Sequence, residues 1–352
     1  MISQSTRSIF FRRASLVLLL LLLGIAWLLG GCTKQKNSPS WTEHSFFALD
    51  TYNTLRVWEG EGEHVGECVR LVHAYEALFS RTLPDSDIGR INRAAGRYVT
   101  VSPQTAELIA IAQHYSQLSD GAFDISMGAV SRLWDFSNRQ QGQLPAPAAI
   151  ADALSHVDYR QISIEDRAVR IQPGMVLDVG SIAKGYIADR LADTLRTYGY
   201  TSAMIDLGGN IYALGQRPDG QPWRVGIQGP FEQRNQSVAV LSVENASVVT
   251  SAIYERYFML DDILYHHLLS PVDGYPARTG IEAVSIIAPR SVDADALSTC
   301  LFVLGVERGQ ALIESLPDTE AIIIPDHGKA LLSSGLQRGD IPIHWNNKQL
   351  AP

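Results

Sequence analysis

Cysteine is scarce in this sequence. Three among 352 residues cannot build a disulfide framework. Positive charge is also short, with 29 Lys and Arg against 37 Asp and Glu and a formal net charge of −8. Residues 1–32 hold Arg7, Arg12 and Arg13 and no acid, so the rest carries 26 basic against 37 acidic residues, a net of −11. A body this acidic excludes general binding of a phosphate backbone, and no nucleic-acid partner is expected. There is no internal repeat, and no Pro/Gly/Ser-rich linker divides the body, which reads as one compact unit. Apolar residues are plentiful. At 46% hydrophobic, the chain can bury a large core, and wholesale disorder is ruled out.

The three arginines precede an apolar run from Ala14 to Leu29 that ends in Leu29-Gly30-Gly31-Cys32. This is the layout of a secretory signal, and its end resembles a bacterial lipobox, in which the Cys is lipidated and becomes residue one. Residues 1–31 are expected to be a signal peptide, with Cys32 the lipidation site and residues 32–44 a polar tether. Each acyl CH₂ buried in a membrane contributes about 0.8 kcal/mol. An uncleaved anchor helix is the alternative, since the run is near the lower length limit for spanning. The expected location is the bacterial cell envelope, membrane-anchored and facing the periplasm. Cys68 and Cys300 are expected to be two separate buried thiols, because Cys68 falls on the apolar face of a helix.

Hydrophobic periodicity organises the body, residues 45–345. Phe46 to Trp58 alternates as a strand. Val65, Val69, Val72, Tyr75 and Phe79 recur on one face of a helix. Pro84 to Asp87 is a turn capping a short helix. Ser102-Pro103 starts another helix, with Pro at its first position. Ala168 to Ile171 and Met175 to Val179 read as strands, Ile182 to Tyr198 as a long helix. The second half is rich in short strands, with helices over 294–304 and 306–316. Strands and helices mix without regular alternation, which predicts an α+β fold with a largely antiparallel sheet.

Three segments carry chemistry. In Asp178-Val179-Gly180-Ser181-Ile182-Ala183-Lys184-Gly185 a strand turns through Gly into a helix. Free N–H groups and the positive end of the helix dipole suit an anion such as pyrophosphate. Lys184 works against that dipole in the first turn, which counts toward a functional reason for it; a surface Lys on a connecting helix is the alternative, since strand–Gly–helix turns are common. In Ser291-Val292-Asp293-Ala294-Asp295-Ala296-Leu297-Ser298-Thr299, Asp293 is the expected N-cap. Asp295 and Thr299 share a helix face and are hard oxygen donors of the kind Mg²⁺ takes, although capping and solvation alone also account for such residues. In His266-His267-Leu268-Leu269-Ser270-Pro271, alternation lets at most one His enter a site, as a base or an orienting donor, or else as a packed strand end.

Two more segments, Asp120-Gly121-Ala122-Phe123-Asp124-Ile125 and Asp206-Leu207-Gly208-Gly209-Asn210, complete a resemblance. Together with Ala48-Leu49-Asp50-Thr51 and Phe79-Ser80 leading into Asp85 to Asn92, these motifs stand in the order of the ApbE family of FAD:protein FMN transferases. The resemblance spans Phe46 to Leu316 and implies binding of FAD and Mg²⁺. It implies transfer of FMN to a Ser/Thr hydroxyl of target flavoproteins, subunits of membrane redox complexes, with release of AMP. It places Mg²⁺ on the Ser181 carbonyl and the side chains of Asp295 and Thr299. It places FAD against Leu49, Thr82, Ala122, Phe123, Asp124, Lys184, His267 and Leu269. His267 is the candidate base, with Asp206 second. Leu49 stands where the family often has Met, Thr82 where it often has an aromatic, Ala252 where Gly is usual, and Ser270 where Asp or Asn is usual. The alternatives are an FAD pyrophosphatase using the same site, with water in place of the protein hydroxyl, and a non-catalytic FAD-binding lipoprotein.

Overall fold

The computed structural model describes residues 41–352 apart from 59–63, 137–141 and 233–235. The expected signal, Cys32 and most of the tether lie outside the described residues.

A hairpin opens the body. Strands β1 (Trp41–Ala48) and β2 (Thr51–Trp58) pair antiparallel across Leu49-Asp50, both at a φ of 57°. The single strand expected over Phe46–Trp58 is therefore two. Alternation continues on both sides of the turn and hides it; only two consecutive left-handed residues, the geometry of a tight hairpin, break it. The fold also starts inside the expected tether, because Trp41 packs against Trp58 and Trp223 at ring distances of 5.4 and 5.1 Å.

Helix α1 (Val65–Phe79) buries Val65, Cys68, Val72, Tyr75 and Phe79, largely the expected stripe. Helix α2 (Asp87–Arg93) starts where the Ser86 hydroxyl accepts the Gly89 N–H at 2.8 Å. Helix α3 (Pro103–Leu118) starts at Ser102, whose hydroxyl accepts the Thr105 N–H. Asp87 joins the two helices by accepting from the Ser102 and Thr105 hydroxyls, both at 2.7 Å.

Beyond α3 come α4 (Ala183–Thr197), β3 (Ala203–Leu207), β4 (Asn210–Leu214), β5 (Trp223–Gln228), β6 (Ser237–Val243) and β7 (Ala246–Ala252). They are followed by β8 (Tyr257–Leu260), β9 (Ile263–His266), β10 (Ile281–Ala288), α5 (Ser291–Leu304) and α6 (Val306–Glu314). The last strands are β11 (Glu320–Pro325), β12 (Leu331–Leu332) and β13 (Ile343–Trp345). The main sheet has the order β1-β2-β3-β4-β7-β10-β11-β12, with every neighbour antiparallel. The expected α+β class holds.

Alternation makes the sheet a middle layer. Val249, Val284, Ile286 and Ile323 face the core shared with the helices. Val248, Ala283, Ile287 and Ile322 face a second core, which they share with Trp223, Val225 and Leu241 of the three-stranded sheet β13-β6-β5. Strands buried on both faces read as continuous apolar runs, as in Ala321-Ile322-Ile323-Ile324.

The strand expected over Met175–Val179 is reduced to one bridge, Val176 with Met127. Its backbone groups are taken elsewhere. The Asn92 amide accepts the Leu177 N–H at 2.7 Å and donates to the Leu177 carbonyl at 3.0 Å, and the Ile125 carbonyl accepts from Asp178. Cys68 and Cys300 are both buried and unbonded, as expected.

Candidate active site

The site begins with a close approach of two helix starts. At Gly185 a Cβ would lie 2.4 Å from the Ser291 carbonyl oxygen and 2.7 Å from Val292 Cα. Only glycine lets α4 come this near α5. Across that contact the Gly185 N–H donates to Asp295 Oδ2 at 2.8 Å, and Lys184 Nζ lies 3.9 Å from Oδ1. Asp295 is 5% exposed. Burial pushes its carboxyl pKa up, against the Lys184 ammonium, the Gly185 N–H and the Asn210 amide, which favour the charged form.

Asp293 does not cap α5. The helix begins at Ser291, and its first N–H groups are taken by Asp189 of α4, which accepts from Ser291 at 2.7 Å and from Val292 at 3.0 Å. A carboxylate from another element does the capping, which local sequence cannot show. Burial raises the Asp189 carboxyl to about 6.

The donors assigned to Mg²⁺ fit that ion. An α-helix would give the Gly185 N–H to the Ser181 carbonyl four residues back. Here that N–H goes to Asp295, so the carbonyl keeps its accepting capacity. Thr299 is half-buried one turn beyond Asp295. One carboxylate, one hydroxyl and one carbonyl make a set of hard oxygens with room for water and phosphate. Among the described residues there is no cluster of three His, Cys, Asp or Glu suited to a metal.

Asp178 gathers the neighbouring loops. Its carboxylate accepts from Gly180 N–H at 3.0 Å and Ser131 Oγ at 3.1 Å, and Arg81 Nε lies 3.4 Å away. Its own N–H goes to Ile125. The loop of Thr82, the turn of Ala122 to Asp124 and the start of α4 thus meet at one residue. Its position at the start of the Asp178–Gly185 segment was the available signal.

That turn presents less than expected. The Phe123 ring is 1% exposed and packs in the core. The Asp124 carboxylate is engaged by the Ser126 N–H and hydroxyl and by the Tyr159 N–H, at 2.7 to 3.0 Å. Neither side chain is offered to a ligand, which leaves Ala122 and the backbone. Leu49 sits at the hairpin tip, its N–H held by Glu76 at 2.7 Å, and Thr82 is exposed.

The two histidines part as alternation requires. His266 ends β9, buried at 6% with its ring edge-on to Phe302. His267 follows the strand, half-buried, its Nδ1 3.3 Å from the Arg256 carbonyl. A carbonyl only accepts, so Nδ1 carries the proton and Nε2 keeps its lone pair. Burial, the Arg256 cation, His266 and Lys184 hold the His267 pKa down at about 3, so the ring is neutral at pH 7. Leu269 bridges to Pro276. Asp206 accepts the Gly209 N–H at 2.8 Å and so caps the Gly208-Gly209 turn that delivers Asn210.

This arrangement has known counterparts. The family model described as the ApbE family matches residues 49–323. The chain belongs to the ApbE family. An FAD:protein FMN transferase of Treponema pallidum is 37% identical over 287 residues, 77% of this chain and 79% of that protein. One of Klebsiella pneumoniae is 35% identical, over 80% of this chain and 88% of its own. Among solved structures, the ApbE protein of Thermotoga maritima superposes with a TM-score of 0.78 at 29% identity, over 85% of this chain and 99% of its own. The flavinyl transferase ApbE of Pseudomonas stutzeri gives 0.75 at 28%, over 85% and 96%. The antiparallel sheet and its helices are therefore an ApbE fold.

Proposed function

We propose that this chain transfers FMN from FAD to a Ser or Thr hydroxyl of a target flavoprotein. The acceptor oxygen forms a bond to the FMN phosphorus. The bridging P–O bond breaks, and AMP leaves with the bridging oxygen. The observation that carries this reading is the meeting of Lys184 and Asp295 at the Gly185 contact between α4 and α5. It provides positive charge for a pyrophosphate beside a hard-oxygen donor set, within an ApbE fold.

The Ser181 carbonyl, Asp295 and Thr299 would hold Mg²⁺, which supplies charge neutralisation at the phosphoryl group. Lys184 binds phosphate oxygens; of the α4 N–H groups expected to face the anion, those of Ala183, Gly185 and Tyr186 are instead held by Val179, Asp295 and Ile182. Asp178 fixes the turn that presents Lys184. Leu49, Thr82 and Ala122 border the space for the flavin and adenine. His267 takes the hydroxyl proton at Nε2. A bound pyrophosphate screens the Arg256 and Lys184 cations, and its negative charge lifts the imidazole pKa toward the range in which it holds a proton at neutral pH.

The N-terminal pattern supports an anchored, periplasm-facing lipoprotein acting on membrane redox subunits. Changing Cys32 to Ser is expected to release the protein from membranes or leave an uncleaved precursor; unchanged processing and attachment would remove lipidation at this Cys. For the activity, the full chain is incubated with FAD, Mg²⁺ and the exported domain of a candidate redox subunit. Acceptor mass and AMP are then measured. The expected result is one FMN per modified acceptor, matched by AMP. AMP release with no change of acceptor mass, across the organism's exported redox subunits, would make the chain a pyrophosphatase.

A further inference from the structure

The connection from β9 to β10 encloses a cavity that the reaction as derived so far does not use. It holds about 390 Å³ and lies between Tyr265 of β9, the turn running from Ser270 to Thr279, and Val303 of α5. The turn is firmly built. The Ser270 N–H donates to the Tyr275 carbonyl and the Gly274 N–H to the Ser270 carbonyl, both at 2.8 Å. The Ala277 N–H reaches the Leu268 carbonyl at 2.9 Å, and the Trp134 indole N–H donates to the Gly274 carbonyl at 3.0 Å. Two groups lining the cavity lack partners. Arg278 makes no ion pair among the described residues, although Asp273 lines the same cavity. Asp273 accepts the Tyr275 N–H at 3.1 Å. Thr279 Oγ1 is buried and has no hydrogen-bond partner among the described residues. Native chains rarely leave a buried polar atom unpaired without a use for it.

The cavity adjoins the reacting groups without reaching the phosphate end of the site. The antiparallel bridge between Leu269 and Pro276 puts Leu268 opposite Ala277, and the next pair in that register is His267 with Arg278. On α5, Val303 stands one turn beyond Thr299 and two beyond Asp295, about 6 and about 12 Å along the axis. An occupant of the cavity therefore borders the base, while the pyrophosphate lies at the other end of the helix face, beside Lys184. The acceptor is the one reactant for which the chain has so far shown no contact, and its hydroxyl has to arrive at His267. We propose that the cavity receives the stretch of the acceptor polypeptide flanking the modified Ser or Thr. Arg278 pairs with a carboxylate of that stretch, and Thr279 Oγ1 bonds its backbone. Asp273, unpaired with Arg278, disfavours an acid at its own position, so the acceptor's acid is read at one place only. The proposal rests on the reading of the chain as a transferase.

Transfer by the full chain is measured against the concentration of the exported redox-subunit domain that it modifies, and FAD cleavage is measured in parallel without acceptor. Arg278→Ala is expected to raise the acceptor KM about 5–10-fold, and Arg278→Glu more, with acceptor-free FAD cleavage within about twofold of wild type. Thr279→Val keeps the shape and removes the unpaired hydroxyl. It should raise the acceptor KM about threefold without lowering the melting temperature, a combination that a merely structural hydroxyl would not give. Acidic residues nearest the modified hydroxyl of the acceptor are then changed to Lys one at a time. One of these changes should weaken transfer by wild type and be restored by Arg278→Glu. An acceptor KM unchanged in both Arg278→Ala and Thr279→Val would overturn the proposal, and the absence of any restored pair would overturn the role of Arg278. Acceptor-free FAD cleavage falling in step with transfer would also overturn it, since the cavity would then serve FAD. Wild-type AMP release with no modified subunit would instead remove the transferase reading, and this proposal with it.

Discussion

Around Asp295 each polar group is held from another element. Gly185 of α4 donates to its carboxylate, Asp189 of α4 caps its helix, and Asn210 of β4 bonds Ser291 one turn earlier. Around Leu49 and Thr82 the supports are mostly local: Glu76 holds the Leu49 N–H, the Asn53 amide ties the Ala48 and Thr51 carbonyls, and the exposed Thr82 is bonded to Ser80. The first region is buried and over-determined, the second open to solvent. Phosphoryl transfer depends on placing charge to within fractions of an ångström, whereas flavin and adenine faces can be gripped by many shapes of surface. The rigid half should fail sharply under substitution and the open half should tune.

The largest loss is expected at the centre of the rigid half. Asp295→Ala should reduce both FMN transfer and FAD hydrolysis to background while partly preserving FAD binding, since other contacts hold the nucleotide. Steady-state AMP release and flavin fluorescence check this, and full Mg²⁺-dependent turnover would end the essential role of Asp295. Next comes His267→Ala, expected to cut transfer by at least about a hundredfold, the scale of a positioned base. His266→Ala should cost much less in transfer, because its ring is buried against Phe302 on the other side of the strand end from His267. Equal losses would move the base elsewhere, with Asp206 next to examine. Lys184→Ala should raise the FAD concentration for half-maximal rate about tenfold, as loss of a ground-state phosphate contact does; a fall in kcat alone would contradict it.

The smallest change, and the one that sharpens the contrast, is Thr82→Tyr. One exposed ring able to stack is worth about 0.5–1.5 kcal/mol, so FAD should bind about 2–10-fold tighter with kcat little altered. A large drop in kcat would mean that the open half is as exacting as the buried one.

What sequence could show follows the same division. The bounds of α1 and α3 were legible because their signals are local: a 3.6-residue stripe, and a Ser-Pro start. The Asp295–Thr299 pair was legible because one helix carries both. Three features were not legible, and each depends on contact between distant segments. Met175–Val179 has the composition of a strand, but the Asn92 side chain takes the Leu177 backbone groups. Asp293 stands where a cap belongs, but Asp189 reaches across from α4. The resemblance sets FAD against the turn of Phe123 and Asp124, and the fold directs both side chains inward. The hairpin at Leu49-Asp50 escaped for a different reason, since its turn contains no glycine to mark it.

The two thiols of the body bear on the periplasmic location proposed above. Cys68 and Cys300 lie fully buried, and burial lifts their pKa values to about 11 and about 12. The thiolate is the species that exchanges with disulfides and meets oxidants. At neutral pH the folded chain holds almost none of it, and no reagent reaches the sulfur without the core opening. Such a protein needs no isomerase to correct wrong pairings once it has folded, and thiol-labelling reagents would report only molecules that have transiently come apart. These two thiols are thus a clock for unfolding, read by the rate at which a thiol reagent reaches them.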